Sequence, residues 1–335
     1  MSQTLTSSIR VPTTRCSTND FEDHLRYTNQ QLCYLLYDTY VTSLRPPPSA
    51  MAQLPRTAKS GSDWTANELA AYNITFVPWN KQEFGTIVFP DPAELSLAGL
   101  MTAETRQDAA DKKTRQLLRY LDLAMDPKVG QDAAVDNFAA DLLRGLDYDN
   151  ENRIVFIRHA IPFLICGGNS VAQIDVCTID DNDVLLLLQK DKTLTSMKDP
   201  EPQVVAGAIA AFALNNRKRE REIHLPLCNS IMFPCLTMVG TSPIFYKITV
   251  TALSKAVQTG SFPEIETRVL RYIPVLSRRN SGGMRPLPNR LEILRCLEVF
   301  KKFLRIYSKT GVFCCKVFQL LLIFWYCSQA ETNKP

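Results

Sequence analysis

The sequence predicts an α/β fold in which a helix, a three-strand meander, a second helix and a further strand follow one another, with flanking helical segments. Three observations predict it. β-rich runs at 153–166, 171–179 and 184–189 are separated by Gly167-Gly168-Asn169-Ser170 and Asp180-Asp181-Asn182-Asp183, both turn chemistry. Pro200 and Pro202 then open an Ala- and Val-rich helix from Gln203 to about Arg221, with proline placed where the first turn accepts it. From Phe233 to Val250 strand-like residues return, punctuated by Gly240-Thr241-Ser242-Pro243.

The other elements follow in chain order. Residues 1–18 are polar and rich in Ser and Thr, and read as a disordered tail. The segment 19–130 reads as a mainly helical N-terminal region with a Pro-rich linker near 45–61. Leu25, Leu32, Leu35, Leu36 and Tyr40 share one helical face between Phe21 and Leu44, with Asn19 or Asp20 as cap. Thr65-Ala66-Asn67-Glu68 has capping-box spacing and predicts a short helix to about Tyr72. A strand over Ile74 to Trp79 follows, and then helices over Glu104 to Ala124 and Asp132 to Leu146. The apolar stripe of the latter includes Val135, Phe138, Leu142 and Leu146, with Asp141 beside it. A core is placed at 131–260 and a strand, loop and helix extension at 261–310: a strand over 268–275, a loop over 278–288 and a helix from Asn289 to about Ile306. The tail 311–335 is apolar. Its segment Val317 to Cys327 has eleven residues, short of the roughly 20 that span a bilayer, so a buried helix is favoured over a membrane anchor.

Composition narrows the function classes. The 335 residues are 45% hydrophobic and 21% charged, which suits a buried core and excludes collagen, coiled coil and overall disorder. A net charge of +4 is too small over this length to imply nucleic-acid binding, so any basic surface is local. Ten cysteines include no C-x-x-C pair and three histidines lie far apart, which argues against zinc and redox motifs. The N-terminus lacks the basic and apolar regions of a secretory signal, and thiols suit a reducing compartment; a cytoplasmic or nuclear protein is expected.

One constellation carries chemistry. Strand alternation places Gln173, Asp175 and Cys177 on one face of the second meander strand and Ala172, Ile174 and Val176 on the other. A carboxylate among apolar neighbours needs a metal, a cation or several donors. Lys192 lies 17 residues on; if the third strand continues, it shares a face with Lys190 and approaches Asp175.

At these residues the chain resembles the PD-(D/E)XK, or restriction-endonuclease-like, superfamily, over about Gln131 to Val250. Asp175 sits where that superfamily places the Asp of its second strand, and Gln189-Lys190-Asp191-Lys192 where it places (D/E)-x-K. The Glu201-Pro202-Gln203 helix start resembles its next helix, whose Gln often serves the site. The whole sequence also resembles fungal proteins carrying such a domain. The resemblance implies a restriction-endonuclease-like core and, for an active site, Mg²⁺ held by Asp175, Asp191 and Glu201, with Lys192 stabilising developing charge and Gln203 assisting. One position departs from the pattern: Lys190 stands where the second acid is expected, with Asp191, turned to the opposite face unless a bulge re-aims it, Asp141, Asp199 or Glu201 as substitutes. Two functions stay open, a metal-dependent nuclease acting on nucleic acid and a catalytically degenerate core that binds nucleic acid or protein, with Asp175 and Lys192 as a residual ion pair. Arg217 to Glu222 reads as a solvated helix end or a phosphate-contacting patch, and Asp180 to Asp183 as a turn rather than a calcium loop.

Overall fold

The computed structural model describes residues 56–85, 97–128, 131, 133–180, 183–190 and 199–304. The helix expected at 21–44, the tail expected over 1–18, Asp191, Lys192 and the apolar segment 311–335 lie outside them. Seven strands form one mixed sheet: β1 (Ile74–Pro78), β2 (Arg153–Ile165), β3 (Gly168–Asp180), β4 (Val184–Lys190), β5 (Ile231–Val239), β6 (Ser242–Val250) and β7 (Thr267–Tyr272), in the order β1-β7-β6-β5-β4-β3-β2. β2, β3 and β4 are the antiparallel meander, β5 lies parallel to β4, and β5, β6 and β7 run antiparallel in turn. β1, from the expected N-terminal region, pairs in parallel with β7, from the expected C-terminal extension, and both belong to the same sheet as the core.

Helices cover both faces. On one side pack α1 (Ala66–Ala71), α6 (Glu201–Arg221) and α7 (Leu253–Thr259); on the other, α4 (Lys112–Met125), α5 (Ala134–Gly145) and a helix over 287–304, here α9. Three short helices, α2 (Lys81–Phe84), α3 (Ala98–Thr102) and α8 (Arg279–Gly282), complete the set. The capping box at Thr65 forms with both its hydrogen bonds. α4 starts later than the apolar spacing suggests, because Asp111 accepts the amide of Thr114 and caps it there. The preceding residues are held in a turn by Asp108, whose carboxylate accepts from both the amide and hydroxyl of Thr105. No helix among the described residues is long and apolar enough to cross a membrane.

β4 lies inside the sheet between β3 and β5, and its Leu185-Leu186-Leu187-Leu188 run is buried on both faces, as expected of a strand covered twice. α6 returns the chain from β4 to the parallel β5. It is buried along most of its length, and Gly207 is needed for its close approach: a Cβ there would stand 2.5 Å from Cδ1 of Ile174. At its far end, Asn215 acts as a substitute strand partner. Its side-chain oxygen accepts from the amide of Val184 at 3.0 Å and its nitrogen donates to the carbonyl of Val184 at 3.1 Å, all buried. Asn215→Leu is therefore expected to strand two buried backbone groups and lower stability by about 3 kcal/mol, measured by urea denaturation. A loss below about 1 kcal/mol would show that water reaches the start of β4.

Candidate functional site

Asp175 stands at a break in the β2–β3 ladder. Arg158 lies in the left-handed region at φ 58° in mid-strand, and the register skips the Arg158–Asp175 pair while keeping Ile157↔Val176 and His159↔Ile174. A residue in that conformation turns the pleat over. Val155 and Ile157 of β2 pack towards α4 and α5, whereas Ile161, Phe163 and Ile165, of the same parity, pack towards α6. On β3, Ala172 and Ile174 face α6 while Val176 faces the other layer. The uniform alternation expected from sequence is thus corrected, and Asp175 occupies the point of reversal, 8% exposed.

Register then decides what sits beside it. Val176 pairs with Leu188 and Cys177 with Leu187, so the residue opposite Asp175 is Gln189, one position before the Lys190 that spacing alone puts in the acid position. The side-chain amide of Gln189 donates to Oδ2 of Asp175, and both are buried. Oε1 of Gln189 is buried without a hydrogen-bond partner among the described residues. Asp191 and Lys192, the remaining residues of the expected motif, lie outside the described residues.

A second polar group follows along the same face. Gln189 neighbours Thr237 of β5 across the parallel ladder, and the hydroxyls of Thr237 and Tyr246 lie 3.0 Å apart. Tyr246 donates to Oε1 of Glu201 at 2.8 Å, and Nη1 of Arg271 on β7 lies 3.2 Å from the same oxygen. Burial pushes the Glu201 carboxyl up to about 7, outweighing the opposite pull of Arg271. Burial likewise raises Asp199, whose Oδ1 accepts the amide of Glu201 at the helix start. Burial and the Glu201 carboxyl raise the Tyr246 phenol well above its ordinary value.

The other expected site residues are used elsewhere. Gln203 is buried and donates to the carbonyl of Ser62 at 3.0 Å, which ties α6 to the turn at Gly61–Asp63. Asp141 is on α5, across the sheet from Gln189, paired with Arg144 at 3.0 Å. Arg217 donates to the carbonyl of Pro162 and Arg219 to that of Pro226, so this end of α6 is partly a structural clasp. The amide of Asp180 donates to the carbonyl of Asp183, a turn bond.

Among the described residues no three His, Cys, Asp or Glu side chains gather closely enough to hold a metal ion. Among the described residues, the side-chain oxygens brought together by the Asp175–Gln189 hydrogen bond are the Asp175 carboxylate and Oε1 of Gln189. The Glu201 carboxylate is engaged by Arg271 and Tyr246. That donor set does not by itself fit a divalent cation, which takes several oxygens and at least one carboxylate not already spent on a hydrogen-bond donor. Gln189, Thr237, Tyr246 and Arg271 were not foreseeable as one site; alternation along β4 points only to Gln189. No family model matches the chain, and no curated protein matches it.

Proposed function

We propose that this chain is a nuclease-like α/β protein whose central site has lost hydrolytic character and which serves as a nucleic-acid interaction module. The observation that carries the proposal is Gln189 opposite Asp175: where a metal-dependent phosphodiesterase needs a second carboxylate, a neutral amide donates to the first. The helix, meander, helix and parallel-strand order supports kinship with the restriction-endonuclease-like core.

A basic and aromatic ridge supports binding. Phe156 is 43% exposed on the β2 edge and meets His159 edge-on at a ring distance of 5.6 Å. Burial and the nearby Lys218 hold the His159 imidazole below its ordinary value. Exposed Arg158 and Arg221 flank that edge and the end of α6. Cations beside exposed rings suit a single strand, whose phosphates they neutralise and whose bases stack.

One observation favours the hydrolytic alternative, in which Asp175, Asp191 and Lys192 would carry a Mg²⁺-dependent reaction: the partnerless Oε1 of Gln189 is an oxygen available to a cation. Calorimetry separates the two. The natural chain is expected to give no saturable heat with about 1 mM Mg²⁺ or Mn²⁺, and to retain a labelled single-stranded oligonucleotide intact, with affinity that falls as salt rises. Gln189→Glu should create divalent-cation binding by placing two carboxylates side by side. Mg²⁺-dependent cleavage by the natural chain that disappears in Asp175→Ala would overturn the proposal in favour of the nuclease.

A further inference from the structure

Far from Asp175 in the chain, a cavity of about 280 Å³ is lined by Arg290 and by Glu104, Arg106, Leu118, Asp122 and Arg285 among others. Arg290, at the start of α9, is 1% exposed. Its Nε donates to the carbonyl of Met284, Nη1 to those of Leu100 and Ala103, and Nη2 to that of Arg285, at 2.6–3.0 Å. A guanidinium has five N–H donors. Four are used here, and one N–H of Nη2 has no acceptor among the described residues. No carboxylate among the described residues is within ion-pair distance of this charge; Asp122 and Glu104 act on it only through space. A buried cation bonded only to carbonyls is incompletely compensated.

Two further arginines line the same cavity. Arg106 lies 3.5 Å from Asp122 and Arg285 pairs with Asp126, all of them partly exposed. Three guanidiniums and two carboxylates line the cavity, and Asp126, just outside the lining, balances Arg285. The volume exceeds what an oxyanion alone fills, a water molecule taking roughly 30 Å³. We infer that this cavity binds a small phosphate monoester, with the phosphate on Arg290, Arg106 and Arg285 and the ester's hydroxyl groups donating to Glu104 and Asp122. Guanidinium groups favour phosphate because their forked donors match its oxygens. The carboxylates in turn disfavour a bare anion and select a ligand that brings donors of its own.

The test is calorimetry on the full chain with inorganic phosphate and with glycerol 3-phosphate. Glycerol 3-phosphate is expected to bind with Kd of about 1 mM or tighter, and more tightly than inorganic phosphate. Arg106→Ala should weaken both by about tenfold, and Asp122→Asn should strengthen inorganic phosphate while narrowing the difference between the two probes. Both residues are about half exposed, so neither change threatens the fold. Absence of saturable binding by either probe would overturn the inference, as would binding that both variants leave unchanged. Equal affinity for the two probes would overturn the role given to the ester's hydroxyls.

Discussion

Replacing Arg290 by methionine is expected to lower stability by about 3–5 kcal/mol, one of the two largest effects of any single substitution considered, because methionine keeps the stem and removes every donor. The carbonyls of Leu100 and Ala103 end α3, where no further turn of helix supplies them with amides. The carbonyls of Met284 and Arg285 lie just before α9. One side chain therefore joins three segments, and its charge sits favourably at the negative end of α3. Water entering through the adjoining cavity would recover part of the loss, which is why the figure stays below four full desolvation penalties. Arg290→Lys should recover only a fraction, since an ammonium has three donors and no fork. Urea denaturation checks the prediction; a loss under about 1 kcal/mol for the methionine variant would mean that the carbonyls are hydrated in the folded state.

What sequence alone made legible follows from how local each signal is. The capping box at Thr65 and the proline-opened α6 are written in neighbouring residues and formed where expected, whereas the turn expected over Gly167 to Ser170 sits at Cys166 and Gly167, both with positive φ, and Gly168, Asn169 and Ser170 already belong to β3. α4 shows the limit of periodicity. Leu117, Leu118, Leu121 and Ala124 mark its buried stripe, but where it begins depends on Asp111 and on the Thr105–Asp108 turn, which periodicity does not encode. The loop expected over 278–288 holds the short α8, where Arg279 donates to the carbonyls of Pro274 and Pro243. The pairing of β1 with β7 joins segments nearly two hundred residues apart, and no local pattern announces it.

The candidate site was legible in one residue and illegible in its partner for the same reason. Asp175 is conspicuous as a charge in an apolar strand. Counting along the chain points to Lys190 as its neighbour, whereas the ladder fixes the neighbour by register, and a one-residue offset exchanges Lys190 for Gln189. The reversal at Arg158 could not be read at all, because arginine is no usual tenant of a left-handed conformation. Arg271 and Tyr246 look like ordinary strand residues until α6 sets Glu201 above them.

Glu201 and Arg271 give the other large effect, and it is one that pH controls. The folded-state value of about 7 lies above the ordinary 4.5, so between these values the folded chain holds a proton that the unfolded chain has released. Stability is then fully present below pH 4.5 and falls as pH rises through 7, by about 3 kcal/mol for this group. Arg271→Leu removes the cation that stabilises the carboxylate and leaves the burial that opposes it, so the value moves further up. At pH 8 the natural pair is ionised and the variant either buries an uncompensated charge or takes up a proton; a loss of about 3–5 kcal/mol is expected. At pH 5.5 Glu201 is protonated in both, and the loss should be markedly smaller. Urea denaturation of the two proteins at both pH values measures the difference, and Glu201→Gln, which cannot titrate, should flatten the slope between pH 5 and 8. A penalty for Arg271→Leu that is equal at the two pH values, or a slope that survives in Glu201→Gln, would show that the pH dependence comes from other groups and that Arg271 acts through packing, for instance against the ring of Phe76 beneath its guanidinium at 5.7 Å.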